Sequence, residues 1–229
     1  MADRKLQDTK KIWCQADAVC FDVDSTLVTI EGLNCLAEYC GVGEEVKQWT
    51  TRAMGGSMSF QESLKTRLNI VKPTEQQLKD FSKLHSPQEI LSPNVEKLID
   101  LLRKKGTHVY LVSGGFRSVI EPVMDYLNIP RDNLYANRII FDSKGCYSHF
   151  DDQEPTSRSG GKPAVVEKLK KEKGYKCVVM IGDGATDLEA CPPADAFIGY
   201  GGTVIRQKVK DNASWFVTDF QDLIDCLTD

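Results

Sequence analysis

The sequence predicts an α/β fold: a Rossmann-like parallel sheet flanked by helices, with a small helical cap insert and a β-hairpin flap. Three observations predict it. Short apolar runs alternate with amphipathic helical stretches after residue 93, the pattern of βαβ units whose sheet is covered on both faces. A strand-free, helix-patterned segment separates the first apolar run from that repeat. Polar clusters then stand at the ends of the apolar runs, where ligands bind in open α/β sheets.

Taken in order, residues 17–23 read as a buried strand ending in DVDST. Residues 31–87 follow as the insert. Leu33, Leu36, Ala37 and Cys40 fall at helical spacing, as do Phe60, Leu64, Arg67 and Leu68, and Pro73-Thr74 with Glu75 starts another helix. Val95, Leu98, Ile99 and Leu102 mark a helix closed by basic residues and Gly106, and strand 107–112 comes directly after it. A helix over about 115–127, a short strand over about 133–136 and a hairpin over 139–148 around DSKG come next. Helix 162–173 stops at Gly174, leading to strand 177–181, with weaker strands at 195–199 and 215–217. The expected organisation is a core of residues 1–30 and 88–229, with the flap near 138–150, and a cap of residues 31–87. The first dozen residues yield no functional reading.

Composition narrows the function. Among 229 residues, 29 basic and 33 acidic side chains give a net charge of −4, which offers no electrostatic case for nucleic acid or a membrane surface. No run approaches the ~20 apolar residues of a membrane span, and no apolar leader is seen near Met1. The eight cysteines include no C-x-x-C pair and the three histidines do not cluster with them, which argues against zinc. Cys20 and Cys177 are placed in buried strands, and reduced thiols in the cytoplasm are expected.

The chemistry is carried by acidic and small residues. Asp22 and Asp24, two apart on a strand, would project from one face, and two carboxylates so close call for a cation between them. Mg²⁺, which favours a few carboxylates, water and phosphate oxygens, meets that need, with Asp183 as the distal ligand. The same aspartates could equally cap a following turn. Asp187 could likewise be a ligand, or, as the favoured reading, a support for the loop and its lysine. Ser113-Gly114-Gly115 would let backbone N–H groups and a helix N-terminus face an anion, or would form an ordinary strand-to-helix turn. Lys162 beside two glycines suits a phosphate, or simply opens a helix with Pro163 in its first turn.

Together DVDST, SGG, Lys162 and GDGATD (182–187) resemble the signature motifs of the haloacid dehalogenase superfamily of phosphatases. RAMGGSMSF (52–60), SGGFR and ACPPADAFIGYGG (190–202) extend the likeness over nearly the whole chain, to the branch that hydrolyses O-phospho-L-serine at the close of L-serine biosynthesis. The resemblance implies Asp22 as nucleophile, Asp24 as proton donor and acceptor, and Mg²⁺ bound by the Asp22 carboxylate, the Asp24 carbonyl and Asp183. It implies that Ser113, Gly114 and Lys162 hold the phosphoryl group. Glu31 and Arg67 would take the substrate's ammonium and carboxylate, and Met54 with Gly55 would line the closed pocket. Gly115, Thr186 and Arg206 fall at further substrate positions, and Asn137 would contribute beside them. The helical insert would act as a lid hinged at Gly55-Gly56 and just after Thr26. A homodimer is also implied.

Overall fold

The computed structural model describes residues 2–53 and 59–228. After helix α1 (Ala2–Cys14), strand β1 (Ala18–Phe21) runs into an irregular turn over Val23–Leu27 in which Ser25 takes a left-handed φ of 57°. Helices α2 (Gly32–Tyr39), α3 (Gly43–Ala53), α4 (Phe60–Val71) and α5 (Glu75–Phe81) follow, with no strand among the described residues of this stretch. The start signals are physical: Ser59 and Thr74 each form a capping box, with Glu62 and Gln77 respectively.

The chain then passes through α6 (Pro87–Ile90), α7 (Val95–Lys104), β2 (His108–Phe116), α8 (Arg117–Tyr126), β3 (Leu134–Asn137), β4 (Ile139–Phe141) and β5 (Tyr147–Phe150). It ends with α9 (Gly161–Lys173), β6 (Val178–Gly182), α10 (Ala185–Leu188), β7 (Ala196–Tyr200), α11 (Gln207–Asn212), β8 (Trp215–Val217) and α12 (Gln221–Thr228). Six strands form one parallel sheet in the order β3-β2-β1-β6-β7-β8, and β4 pairs antiparallel with β5 as the expected hairpin.

Period-2 alternation along the buried strands feeds two apolar layers. Val19 and Phe21 join Leu111, Ile181 and Ile198 beneath α1, α7, α8 and α12. Ala18 and Cys20 join Val112, Met180 and Val166 on the α9 side. A third cluster is built by Leu33, Leu36, Val46, Leu64, Leu68, Leu78 and Phe81 of the helical segment, closing on Phe116 and Phe150.

Two readings need correction. The 107–112 strand does not stop before Ser113: β2 continues through the glycines to Phe116, and α8 begins only at Arg117. With no Cβ at Gly114, the extended backbone can pass under Phe60, whose Cζ would lie 2.7 Å from such a carbon. Cys177 lies just ahead of β6 and is only partly buried, whereas Cys20 is fully enclosed. The N-terminal dozen residues form α1, which docks through Trp13: the ring is 1% exposed and its Nε1 donates to the Leu223 carbonyl at 3.1 Å.

Candidate active site

The site lies at the carboxyl ends of β1, β2 and β6. Asp22 directly follows β1, and its N–H donates to the Ile181 carbonyl at 2.9 Å, which sets it beside Asp183 at the end of β6. Lys162, in the first turn of α9, reaches both Asp22 Oδ1 at 2.7 Å and Asp187 Oδ1 at 2.5 Å. That reach depends on glycines. Gly160 adopts φ 74°, and a Cβ on Gly161 would stand 1.9 Å from the Pro155 carbonyl oxygen. Asp187 is fully buried and its other oxygen accepts from the Gly184 N–H at 2.9 Å. Both of its oxygens are therefore engaged within the fold.

Asp22, Asp183 and Asp187 bring carboxylate oxygens within 4.8 Å of one another. Burial comes first in raising Asp183 to about 6 and Asp187 to about 7, and the negative charge of Asp22 comes next. Opposing cations are built in: Lys162 is held charged by Asp187 and Asp22 in spite of its burial, and Arg206 Nε donates to Asp183 Oδ2 at 2.7 Å. Three hard-oxygen carboxylates face two cations here, an excess of oxygen donors that fits a divalent cation.

Asp24 is not in that cluster. It does not continue the strand with Asp22 but sits in the irregular turn at φ −61°, ψ 131°, and its Oδ1 accepts from the Gly32 N–H at 2.9 Å. The two carboxylates do not share a strand face, because the chain leaves the sheet at Asp22. Desolvation, then Glu31 and Asp22, raise the Asp24 carboxyl to about 7. A group so placed is poised to exchange a proton near neutral pH.

One cavity of about 160 Å³ gathers Asp22, Asp24, Lys162, Asp183 and Asp187 with Glu31, Arg67, Gly114, Gly115, Thr186 and Arg206. Glu31 accepts from Ser25 Oγ at 2.7 Å and from Arg206 Nη2 at 3.3 Å. Burial pulls the Arg67 guanidinium below its usual range, partly offset by Glu31 and Asp24, and no carboxylate lies within ion-pair distance of it among the described residues. Ser113 is fully buried and its Oγ accepts from the Gly115 N–H at 2.9 Å, so that amide is not directed at an anion. Asn137 lies behind the wall, donating to the Gly114 carbonyl at 2.8 Å and accepting from Thr156 at 3.0 Å. Met54 and Gly55, like the Gly55-Gly56 hinge, fall outside the described residues. Leu33, Phe60, Leu64, Thr156 and Arg158 also line the cavity and were not singled out from sequence as site residues. The first three read as ordinary apolar helix positions, and the other two come from a loop without a motif.

Comparison with known proteins decides the family. The haloacid dehalogenase-like hydrolase model matches residues 16–195. The chain belongs to the haloacid dehalogenase-like hydrolases. Among members of this hydrolase family, the mouse (Mus musculus) phosphoserine phosphatase is 49% identical over 217 residues, covering 95% of this chain and 96% of the mouse protein. The crystal structure of a phosphoserine phosphohydrolase-like protein from Francisella tularensis superposes with a TM-score of 0.80 at 32% identity, covering 91% of this chain and 98% of that one. The phospho-aspartyl intermediate analogue of a phosphoserine phosphatase gives a TM-score of 0.78 at 27% identity, covering 92% and 98%.

Proposed function

We propose that this hydrolase is a phosphoserine phosphatase that cleaves O-phospho-L-serine to L-serine and phosphate through an aspartyl-phosphate at Asp22. Near-half identity to a mouse phosphoserine phosphatase over almost the full length of both chains supports the activity. The observation that carries the mechanism is Asp22 Oδ1 held 2.7 Å from Lys162 Nζ at the end of β1, with the proton-bearing Asp24 carboxyl in the same cavity.

An oxygen of the Asp22 carboxylate attacks phosphorus while the bond to the serine oxygen breaks, and Asp24 gives that oxygen its proton. A carboxylate has no proton to lose first, and the acyl phosphate divides hydrolysis into two easier steps. Asp24, now ionised, takes a proton from water as the water attacks phosphorus, and phosphate leaves Asp22. Lys162, Ser113 and Gly114 hold the phosphoryl oxygens, where charge spreads in the transition state, and Gly115 contacts the substrate beside them. Glu31 receives the ammonium and Arg67 the carboxylate of serine, since a guanidinium suits a small carboxylate. Thr186 and Arg206 complete the substrate wall, Asn137 holds Gly114 in place, and Met54 with Gly55 belongs to the same pocket by resemblance.

Mg²⁺ is the proposed cation, held by the Asp22 and Asp183 carboxylates with the Asp24 carbonyl. When bound it neutralises charge on the phosphoryl oxygens and on the aspartates. The proposed division places residues 31–87 as a cap over a core of 1–30 and 88–229. Its closure over the site excludes water until the acyl phosphate forms. No described helix is long and apolar enough to cross a membrane; a cytoplasmic homodimer completes the proposal.

The test is phosphate release from O-phospho-L-serine beside phosphothreonine and phosphoethanolamine, with and without EDTA. Preference for phosphoserine, abolished by EDTA and restored by Mg²⁺, is expected. Equal turnover of all three substrates would overturn the substrate reading, and full activity in EDTA would overturn the cation.

A further inference from the structure

The end of the sheet opposite the active site carries a second reactive arrangement. Cys14 closes α1 and Cys226 lies in the last turn of α12, 212 positions apart in sequence, yet their Sγ atoms are 3.8 Å apart. The Cys14 thiol also donates to the Cys226 carbonyl at 3.2 Å, and beside it Trp13 Nε1 holds the Leu223 carbonyl at 3.1 Å. The two helices are thus fixed against each other where the sulfurs meet. The sulfurs stand in van der Waals contact, and the two side chains have only to close the gap to the ~2.05 Å of a covalent bond.

We propose that Cys14 and Cys226 are an oxidisable pair, joined as a disulfide by reaction with a low-molecular-weight disulfide such as oxidised glutathione. Cys14 is exposed and Cys226 is half-buried, so Cys14 reacts first, from an open groove of about 650 Å³ lined by Lys10, Lys11, Asp222 and Asp225. The Cys14 thiolate attacks one sulfur of the small disulfide, whose S–S bond breaks and releases one thiolate. The Cys226 thiolate then attacks the Cys14 sulfur and expels the second. Both protein thiols lose their protons and together two electrons, and the small disulfide is reduced to two thiols.

Five of the six other cysteines fit this chemistry poorly, and the sixth, Cys146, is exposed in the hairpin. Burial pushes the Cys20 thiol up to about 12, and burial raises Cys35, Cys40, Cys177 and Cys191 as well. Cys177 donates to the Ile12 carbonyl at 3.3 Å, inside the α1 contact. The Cys14–Cys226 bond closes nearly the whole chain into one loop, the arrangement in which cross-linking restricts the unfolded chain most.

The experiment treats the reduced, full-length protein with oxidised glutathione, alkylates remaining thiols, maps peptides by mass spectrometry and measures Tm. The expected result is a peptide linking Cys14 to Cys226, with loss of two hydrogens and a rise in Tm of roughly 5–15 °C that dithiothreitol reverses. Cys14→Ser and Cys226→Ser should each abolish the link and the rise while matching the Tm of the reduced wild-type protein. The proposal is overturned by a stable glutathione adduct on Cys14, by a link to Cys146 or Cys177 instead, or by a Cys14–Cys226 link that leaves Tm unchanged.

Discussion

Asp24 Oδ1 accepts the backbone N–H of Gly32 at 2.9 Å, which ties the proton-carrying carboxyl to the first turn of α2. The acid therefore sits at the junction of core and helical segment, and a Cβ on Gly32 would stand 3.3 Å from that same oxygen.

The first prediction follows from the environment of Asp24. Desolvation, Glu31 and Asp22 raise its carboxyl from 3.8 to about 7. The protonated form drives departure of serine, so the rate of aspartyl-phosphate formation falls as pH rises through about 7. The water step needs the ionised form and accelerates over the same interval. Asp24→Asn keeps an oxygen for the Gly32 N–H but carries no transferable proton. Single-turnover kinetics should show about 10²–10⁴-fold slower phosphorylation and loss of the limb near pH 7. An unchanged pH profile would remove Asp24 from the proton transfer.

Arg67 should act on one substrate group only. In Arg67→Ala, kcat/KM for phosphoserine should fall by about 10²-fold, or roughly 2–3 kcal/mol for a lost charge-assisted bond. Phosphoethanolamine, which lacks the carboxylate, should lose less than about threefold. Equal losses on both substrates would mean that Arg67 shapes the pocket without touching the carboxylate.

Lys162 joins stability to catalysis. It is 6% exposed and bridges Asp22 with the fully buried Asp187. Lys162→Met removes the cation from two enclosed carboxylates, and breaking a buried pair in this way costs about 3–5 kcal/mol. Thermal denaturation should show a loss on the order of 10 °C together with loss of turnover. The double variant Lys162→Met with Asp187→Leu should recover Tm but not activity.

Gly182 offers a purely steric test. A Cβ there would meet Asp187 Cγ at 2.2 Å, and Asp187 is the anchor of Lys162. Gly182→Ala should lower turnover at least tenfold by displacing that pair. Turnover within twofold of the parent would show that the Lys162 position does not depend on this packing.

Much of the fold was legible because buried strands and amphipathic helices write their periods into the chain. Val95, Leu98, Ile99 and Leu102 mark α7, and all four are buried. What escaped was set by contacts distant in sequence. The polar run DRKLQDTKK hides α1, whose apolar anchor, Trp13, is fixed by Leu223 from the opposite terminus. The continuation of β2 through Ser113, Gly114 and Gly115 depends on Phe60 lying over it from α4. At the site, the pairing of Asp22 with Asp183 was readable from strand ends, because β1 and β6 are neighbours in the sheet, whereas Lys162 joins them from the first turn of α9. The separation of Asp24 from the Asp22 face was not, since it depends on the chain leaving the sheet at Asp22 for the irregular turn that begins at Val23. Thr156 and Arg158 reach the cavity from a loop with no periodic signature.

The central claim is covalent capture of phosphorus by Asp22, and trapping the intermediate tests it most directly. Acid quench within milliseconds of mixing with ³²P-labelled phosphoserine, followed by peptide mapping, should place a hydroxylamine-sensitive label on Asp22 that appears before free phosphate and is absent in Asp22→Asn. Label on any other residue, or steady hydrolysis in the Asp22→Asn variant, would contradict it.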